Sequence, residues 1–230
     1  MGNRPVFLLN TRLQLCAQMV RKGTKLVDVG TDHAYLPVWM AKSGLISRAI
    51  AADLRVGPLR SASRNIEKYY VSEIVETRLS DGLQQIKPYE AEDIVIAGMG
   101  GELIAEIIKK AVWLKDKEKR LILQPMTAAE PLRCFLQREG FRILEETAVS
   151  TENRVYTVMC AEYEKKPFTC DELYPYIGML SRPLSDEGKW YVQKEVLHLQ
   201  NRLKGLLIAG KKKKAEHLYS IIEKLKDLSK

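Results

Sequence analysis

The sequence predicts an α/β fold: a mostly parallel sheet with helices on both faces, followed by a helical tail. Three observations carry this. Short apolar runs alternate with helix-length amphipathic stretches from about residue 11 to residue 138, the pattern parallel sheets impose because each crossover lays a helix across a face. Acidic or glycine-rich turns follow the strand-like runs at Gly30, Asp53, Asp81 and Gly98 to Gly101, at the strand ends where open α/β sheets bind ligands. Beyond Lys165 the composition turns helical and basic.

The elements follow in order. Leu13, Cys16, Ala17 and Val20 fall at helical spacing behind Asn10-Thr11, a capping pair, and predict a helix over Thr11 to Val20. Leu26 to Val29 reads as the first strand. A helix starts near Tyr35-Leu36-Pro37, with Pro37 suited to its first turn. Ala49 to Asp53 is a second strand, Gly57 to Tyr70 a helix and Val75 to Leu79 a third strand. Asp93 to Ala97 is a buried strand, Glu102 to Trp113 a helix and Arg120 to Gln124 a fifth strand. A helix over Ala128 to Arg138 ends at Gly140. Phe141 to Val149 and Arg154 to Tyr163 then form an antiparallel hairpin.

Lys165-Lys166-Pro167 marks a boundary between a domain over residues 1–164 and a basic helical unit over 165–230. In the latter, Val192, Val196, Leu199, Leu203 and Leu206 step by threes and fours. Leu218, Ile221, Leu225 and Leu228 repeat the pattern beyond Gly210, which predicts an antiparallel helical hairpin with coiled-coil-like packing.

With 230 residues, 46% of them hydrophobic and 29% charged, the chain reads as a soluble globular protein of one large domain plus an appendage. No apolar run approaches the ~18 residues of a membrane span, and no apolar signal core opens the chain, so a cytoplasmic protein is expected. Cys16, Cys134, Cys160 and Cys170 are scattered, with no metal-ligand spacing, so free thiols are expected and no metal site. The net charge of +8 sits mainly in the tail, with 14 Lys/Arg against 8 Asp/Glu from Lys165 onward and 23 against 21 before it. Such a surface attracts a polyanion such as nucleic acid, although the Lys211 to Lys214 run also fits a plain solvated helix face.

The first strand ends Val27-Asp28-Val29-Gly30-Thr31-Asp32-His33. A dinucleotide loop wants glycines so that backbone N–H groups approach two phosphates; the bulk and charge of Asp32 oppose this and favour a cationic ligand. Gly30 makes the tight turn, Asp28 organises the loop, and Thr31 and His33 line its mouth, with loop capping the competing role for Asp28 and Thr31. Asp53 lies 23 positions after Gly30, near the ~20-residue offset of an acid that takes ribose hydroxyls; a helix cap is its alternative. Asp81-Gly82 suits an adenine amino group or a plain turn. Three glycines in Gly98-Met99-Gly100-Gly101 let some group pass close to the backbone. Gln124-Pro125-Met126, at the neighbouring strand end, can shape a pocket for a substrate base. Several carboxylates and no conspicuous cation in these loops suit S-adenosylmethionine, which is positive and lacks phosphates, better than NAD.

Val27 to Pro37, Ile96-Ala97-Gly98-Met99-Gly100-Gly101 and Leu123-Gln124-Pro125 together resemble the bacterial TrmK-type tRNA (adenine-N1)-methyltransferases, a likeness running from about Thr11 into the helical tail. The resemblance implies a Rossmann-like class I methyltransferase fold of seven strands with the last antiparallel, S-adenosylmethionine as donor, and N1-methylation of adenosine 22 in tRNA. It places Asp28, Gly30, Asp32 and His33 on the first cofactor loop, Asp53 on the ribose, Asp81-Gly82 at the adenine and Gly98-Met99 at the methionine side. Asp32 stands where many methyltransferase loops have a second glycine. No catalytic group is assigned; Asp32, Gln124 and Pro125 are the candidates lining the base pocket, and the basic tail is the expected tRNA contact. No Asn-Pro-Pro-Tyr motif follows the fourth strand, which argues against methylation of an exocyclic amine. The competing readings are a small-molecule methyltransferase, a noncatalytic RNA-binding protein with a relic pocket and, less compatible with Asp32, a NAD-dependent oxidoreductase.

Overall fold

A computed structural model describes residues 6–166 and 168–230. One seven-stranded sheet organises the chain, in the order β3-β2-β1-β4-β5-β7-β6. The strands are β1 (Lys25–Val29), β2 (Arg48–Asp53), β3 (Val75–Leu79), β4 (Asp93–Gly100), β5 (Arg120–Thr127), β6 (Phe141–Thr151) and β7 (Arg154–Tyr163). The first five run parallel to one another, while β7 runs antiparallel to both β5 and β6. Leu26, Val27, Ile94, Val95, Ile96, Leu121, Ile122 and Leu123 are wholly buried, so the central strands read as apolar runs rather than alternations because both faces are covered.

Helices α1 (Thr11–Met19), α2 (Tyr35–Lys42) and α3 (Val56–Lys68) cover one face; α4 (Gly101–Lys110) and α5 (Ala129–Glu139) cover the other. Asn10 caps α1 by accepting from the Leu13 N–H at 2.9 Å, and Gly140 ends α5 in the left-handed conformation, φ 83°. Strand order reverses between β1 and β4, so their carboxyl ends open the crevice in which ligands of such sheets sit.

The ends of α4, β4 and β5 differ from the sequence reading for local reasons. The helix expected to reach Trp113 stops at Lys110 and tightens into a short 3₁₀ turn over Val112–Leu114. The strands β4 and β5 run three residues further than expected because Met99 pairs with Pro125 and Gly100 with Thr127 across a bulge. That extension carries the glycine cluster and the Pro125-Met126 pair out together above the sheet.

The tail holds a short helix, α6 (Tyr174–Ile177), too brief to show periodicity, and then α7 (Asp186–Ile208) and α8 (Lys212–Leu228). These last two pack as an antiparallel pair through Val192, Val196, Leu199, Leu218, Ile221 and Leu225, joined by a turn at Gly210, φ 66°. Pro167 of the expected boundary lies outside the described residues. The tail does not stand apart: Ala148 of β6 and Val155 of β7 belong to its apolar cluster.

Arg133 fastens that contact. Fully buried on α5, it pairs with Glu146 of β6 at 2.6 Å. It also donates to the carbonyls of Pro175 and Tyr176, both at 2.9 Å, and to the Tyr191 hydroxyl of α7 at 3.0 Å. Burial opposes the guanidinium charge, but Glu146 and Tyr191 outweigh it and hold Arg133 above its ordinary range. Gly178 admits the arrangement, since a Cβ there would lie 1.8 Å from a Glu146 carboxylate oxygen.

Candidate cofactor and acceptor site

The loop after β1 is pinned to the neighbouring strand: Gly30 and Thr31 N–H both donate to the Ala52 carbonyl, at 2.8 and 2.9 Å. Gly30 has φ 75°, and a Cβ on it would lie 2.1 Å from the Met99 methyl, so the Met99 side chain crosses directly over this turn. Thr31 is buried and its hydroxyl accepts from Ala34 N–H at 3.1 Å, so it caps the turn from inside. Ala34 enters α2 at φ 54°, a left-handed conformation that alanine adopts only at a cost.

Asp28 is buried beneath the same loop. Burial pushes its carboxyl up from 3.8 to about 6; a hydrogen bond from Thr31 opposes the rise and the charge of Asp53 adds to it. Asp32 and His33 are the loop's outer members. Their side chains approach to 3.4 Å, Asp32 is mostly exposed, and the His33 ring stacks on Tyr35 at 5.2 Å.

Asp53 ends β2, buried, with Oδ1 accepting from Arg55 N–H at 2.8 Å and Oδ2 taking no hydrogen bond among the described residues. Arg55, not Asp53, is the residue preceding α3. Asp81 is exposed after β3 and accepts from the Gln84 amide at 3.0 Å. Gly82 has φ 57°, and a Cβ there would press on Ile107 at 3.0 Å. Gly98 has φ 81° and donates its N–H to Gln124 Oε1 at 3.0 Å. Gly101 opens α4 hard against the start of α5: its Cβ would come within 2.2 Å of the Ala128 carbonyl oxygen. The loops after β4 and β5 therefore interlock.

One sequence-based expectation needs correction, and one contact was missed. Gln124 does not face a base: its side chain is wholly buried, accepts from Gly98 and Arg12, and donates to the Pro125 carbonyl at 3.0 Å. It braces the loops from behind, while Pro125, also buried, is paired beside Met99. A cation also enters the crevice from outside the strand-end loops. Arg12 reaches in from α1, with Nη1 on Gln124 Oε1 and 3.8 Å from Met126 Sδ, close enough that a Cβ on Gly98 would lie 3.2 Å from it. Sequence reasoning missed Arg12 because it inspected only the strand-end loops, whereas the contact bridges 112 positions.

The crevice thus offers a buried acid at the end of β2, a second acid under the β1 turn and backbone laid bare by glycine. Such a site can take ribose hydroxyls and a positive charge. This is the site of a Rossmann-like methyltransferase, and a methyltransferase-domain family model matches residues 9–159. Among relatives, the tRNA (adenine(22)-N(1))-methyltransferase of Bacillus subtilis (strain 168) is 37% identical over 184 residues, which are 79% of this chain and 76% of that protein. The crystal structure of B. subtilis M1A22 tRNA methyltransferase TrmK superposes with a TM-score of 0.84 at 30% identity, covering 97% of this chain and 99% of that one. A Streptococcus pneumoniae protein crystallised with S-adenosyl-L-methionine is 32% identical, with a TM-score of 0.83 over 97% of this chain and 100% of that chain. The chain belongs to the tRNA (adenine(22)-N(1))-methyltransferase family.

Proposed function

We propose that this protein transfers the methyl group of S-adenosylmethionine to N1 of adenosine 22 in tRNA. The observation that carries the reading is the pairing of family membership with a crevice whose acids and glycines fit that donor: Asp53 Oδ2 is available at the end of β2, and a side chain on Gly30 or Gly98 would close the space between the loops. Asp53 would hold the ribose hydroxyls, Asp81-Gly82 would flank the adenine, and Asp28, Gly30, Thr31, Asp32, His33, Gly98 and Met99 would enclose the methionine end.

When bound, S-adenosylmethionine supplies an electrophilic methyl on a sulfonium, and adenine N1 accepts it through a lone pair unprotonated at neutral pH, so no general base is required. The chain's task is positioning, which supplies much of the acceleration in such displacements. Gln124 contributes by locking the β4 and β5 loops at a fixed spacing. The carboxylates of the β1 loop favour the cation left on the base. N1 faces the interior of a base pair, so the adenosine enters extruded or unpaired.

The unit over 165–230 would grip the tRNA backbone, with Lys211 to Lys214 exposed around the hairpin turn. The unit over 1–164 would carry the chemistry. No helix among the described residues is long and apolar enough to cross a membrane; a tRNA substrate implies a cytoplasmic protein. The test is incubation with unmodified tRNA and methyl-labelled S-adenosylmethionine, followed by nucleoside analysis to identify the labelled base and by mapping of nuclease fragments to place it in the RNA chain. Label in 1-methyladenosine at position 22 supports the proposal; label elsewhere, or none, overturns it.

A further inference from the structure

A second cavity, of about 460 Å³, opens beside the cofactor crevice, between the segment running from Pro125 to Pro131, the start of β7 and one face of α7. Its size falls in the ~300–1,000 Å³ range of small-ligand sites. Its floor ties it to the β4 loop: Pro125 to Thr127 is the stretch of β5 that pairs with Met99 and Gly100. Its opposite wall is Tyr191, Lys194, Glu195 and His198, which share a face of α7 at spacings of three and four.

That wall is fixed to the catalytic sheet by two tethers. Tyr191 is held by Arg133, and Lys194 Nζ donates to the Val155 carbonyl at 3.1 Å while lying over the Tyr156 ring at 5.6 Å. One of the cavity's two acids is ion-paired and the other is held toward its neutral form by burial. Glu130 is paired with Arg202 at 3.2 Å, and burial pushes the Glu195 carboxyl up against the pull of Arg133, Lys194 and His198. What remains is a mostly apolar slot with Lys194 and His198 along its outer edge.

We propose that this cavity receives the extruded acceptor nucleoside, with the base against Pro125-Met126 and the adjoining phosphodiester at Lys194 and His198. The tail then forms one wall of the acceptor site as well as gripping RNA at a distance. This rests on the tRNA-methyltransferase reading above.

The test uses the full chain and unmodified tRNA. Ala129→Trp, which fills the slot, and the double variant Lys194→Gln/His198→Ala are compared with wild type for kcat/KM on tRNA, for S-adenosylmethionine affinity by calorimetry and for Tm. Stacking and phosphate contacts of this kind set the expected loss in kcat/KM at about ten- to hundred-fold, with donor affinity within about twofold. Wild-type kcat/KM in both variants overturns the proposal.

Should Ala129→Trp fail to fold, a tRNA carrying 8-azidoadenosine at position 22 gives an independent readout on wild-type protein. Crosslinks within 125–131 or 190–198 support the assignment, and crosslinks confined to other segments overturn it. A wild-type protein that labels no tRNA defeats the parent reading instead, so the two failures are distinct.

Discussion

Asp53→Asn isolates the contribution of one carboxylate to donor binding. Asp53 Oδ1 accepts from Arg55 N–H at 2.8 Å, and an asparagine oxygen can keep that bond, so the turn into α3 survives. The other oxygen becomes an amide donor, facing hydroxyls that also need to donate, and the negative charge is lost. Hydrogen bonds to a charged group contribute about 1.5–3 kcal/mol, which corresponds to a ten- to hundred-fold rise in the Kd for S-adenosylmethionine at ~1.4 kcal/mol per tenfold. Titration calorimetry at pH 7.5 measures the change, and a thermal scan checks the fold; Tm should stay within about 4 °C because the backbone contact persists. An unchanged Kd in a folded variant would remove Asp53 from the donor site. A weaker Kd that tracks a collapse in Tm would assign Asp53 to the turn alone.

Asp28 gives a pH signature: its folded value, about 6, lies above its ordinary 3.8, so the native state binds the proton more tightly. Stability should therefore fall as pH rises from about 4 to 6, by on the order of 3 kcal/mol at ~1.36 kcal/mol per unit. Asp28→Asn should flatten that slope in urea melts while weakening donor binding; an identical slope in the variant contradicts the assignment. Gly101→Ala must push a methyl into the Ala128 carbonyl and should cost about 1–3 kcal/mol in stability, with methyl transfer reduced more than donor affinity; a silent variant would mean that the two loops do not interlock. Arg133→Met strands Glu146 without its buried partner and should cost about 3–5 kcal/mol by urea unfolding, only part of it recovered in Arg133→Met/Glu146→Leu because the Pro175 and Tyr176 carbonyls still lose their donor. A loss below ~1 kcal/mol in the single variant would show that the pair does not hold the tail.

The parallel sheet was legible because its strands are apolar on both faces and its helices are not, so the two periods alternate plainly from β1 to α5. The hairpin of α7 and α8 was legible for a similar reason, with leucines and valines stepping along one face of each helix. The strand ends were legible, and the structure places Gly30, Asp53 and Gly98 where their spacing puts them, at the carboxyl ends of β1, β2 and β4. The site was not readable where distant segments meet. Arg12 arrives from α1, and Arg133 looks like an ordinary exposed member of a helix until Glu146, Tyr176 and Tyr191 close around it. Gln124 was misassigned because a polar residue at the end of a buried strand has the same pattern whether it points toward a ligand or back into the loops.

The abutment of Gly101 on the Ala128 carbonyl limits how the crevice can breathe. With the two backbones in contact and their strands still paired above the sheet, neither turn can swing away alone without unzipping the end of β4 from β5. The Met99 side chain, which crosses over Gly30, is the part of the mouth that can move by bond rotation alone. An inhibitor designed to wedge between the β4 and β5 turns would meet the stiffest part of the mouth, whereas one that displaces Met99 from Gly30 would meet a hinged thioether that yields by simple rotation.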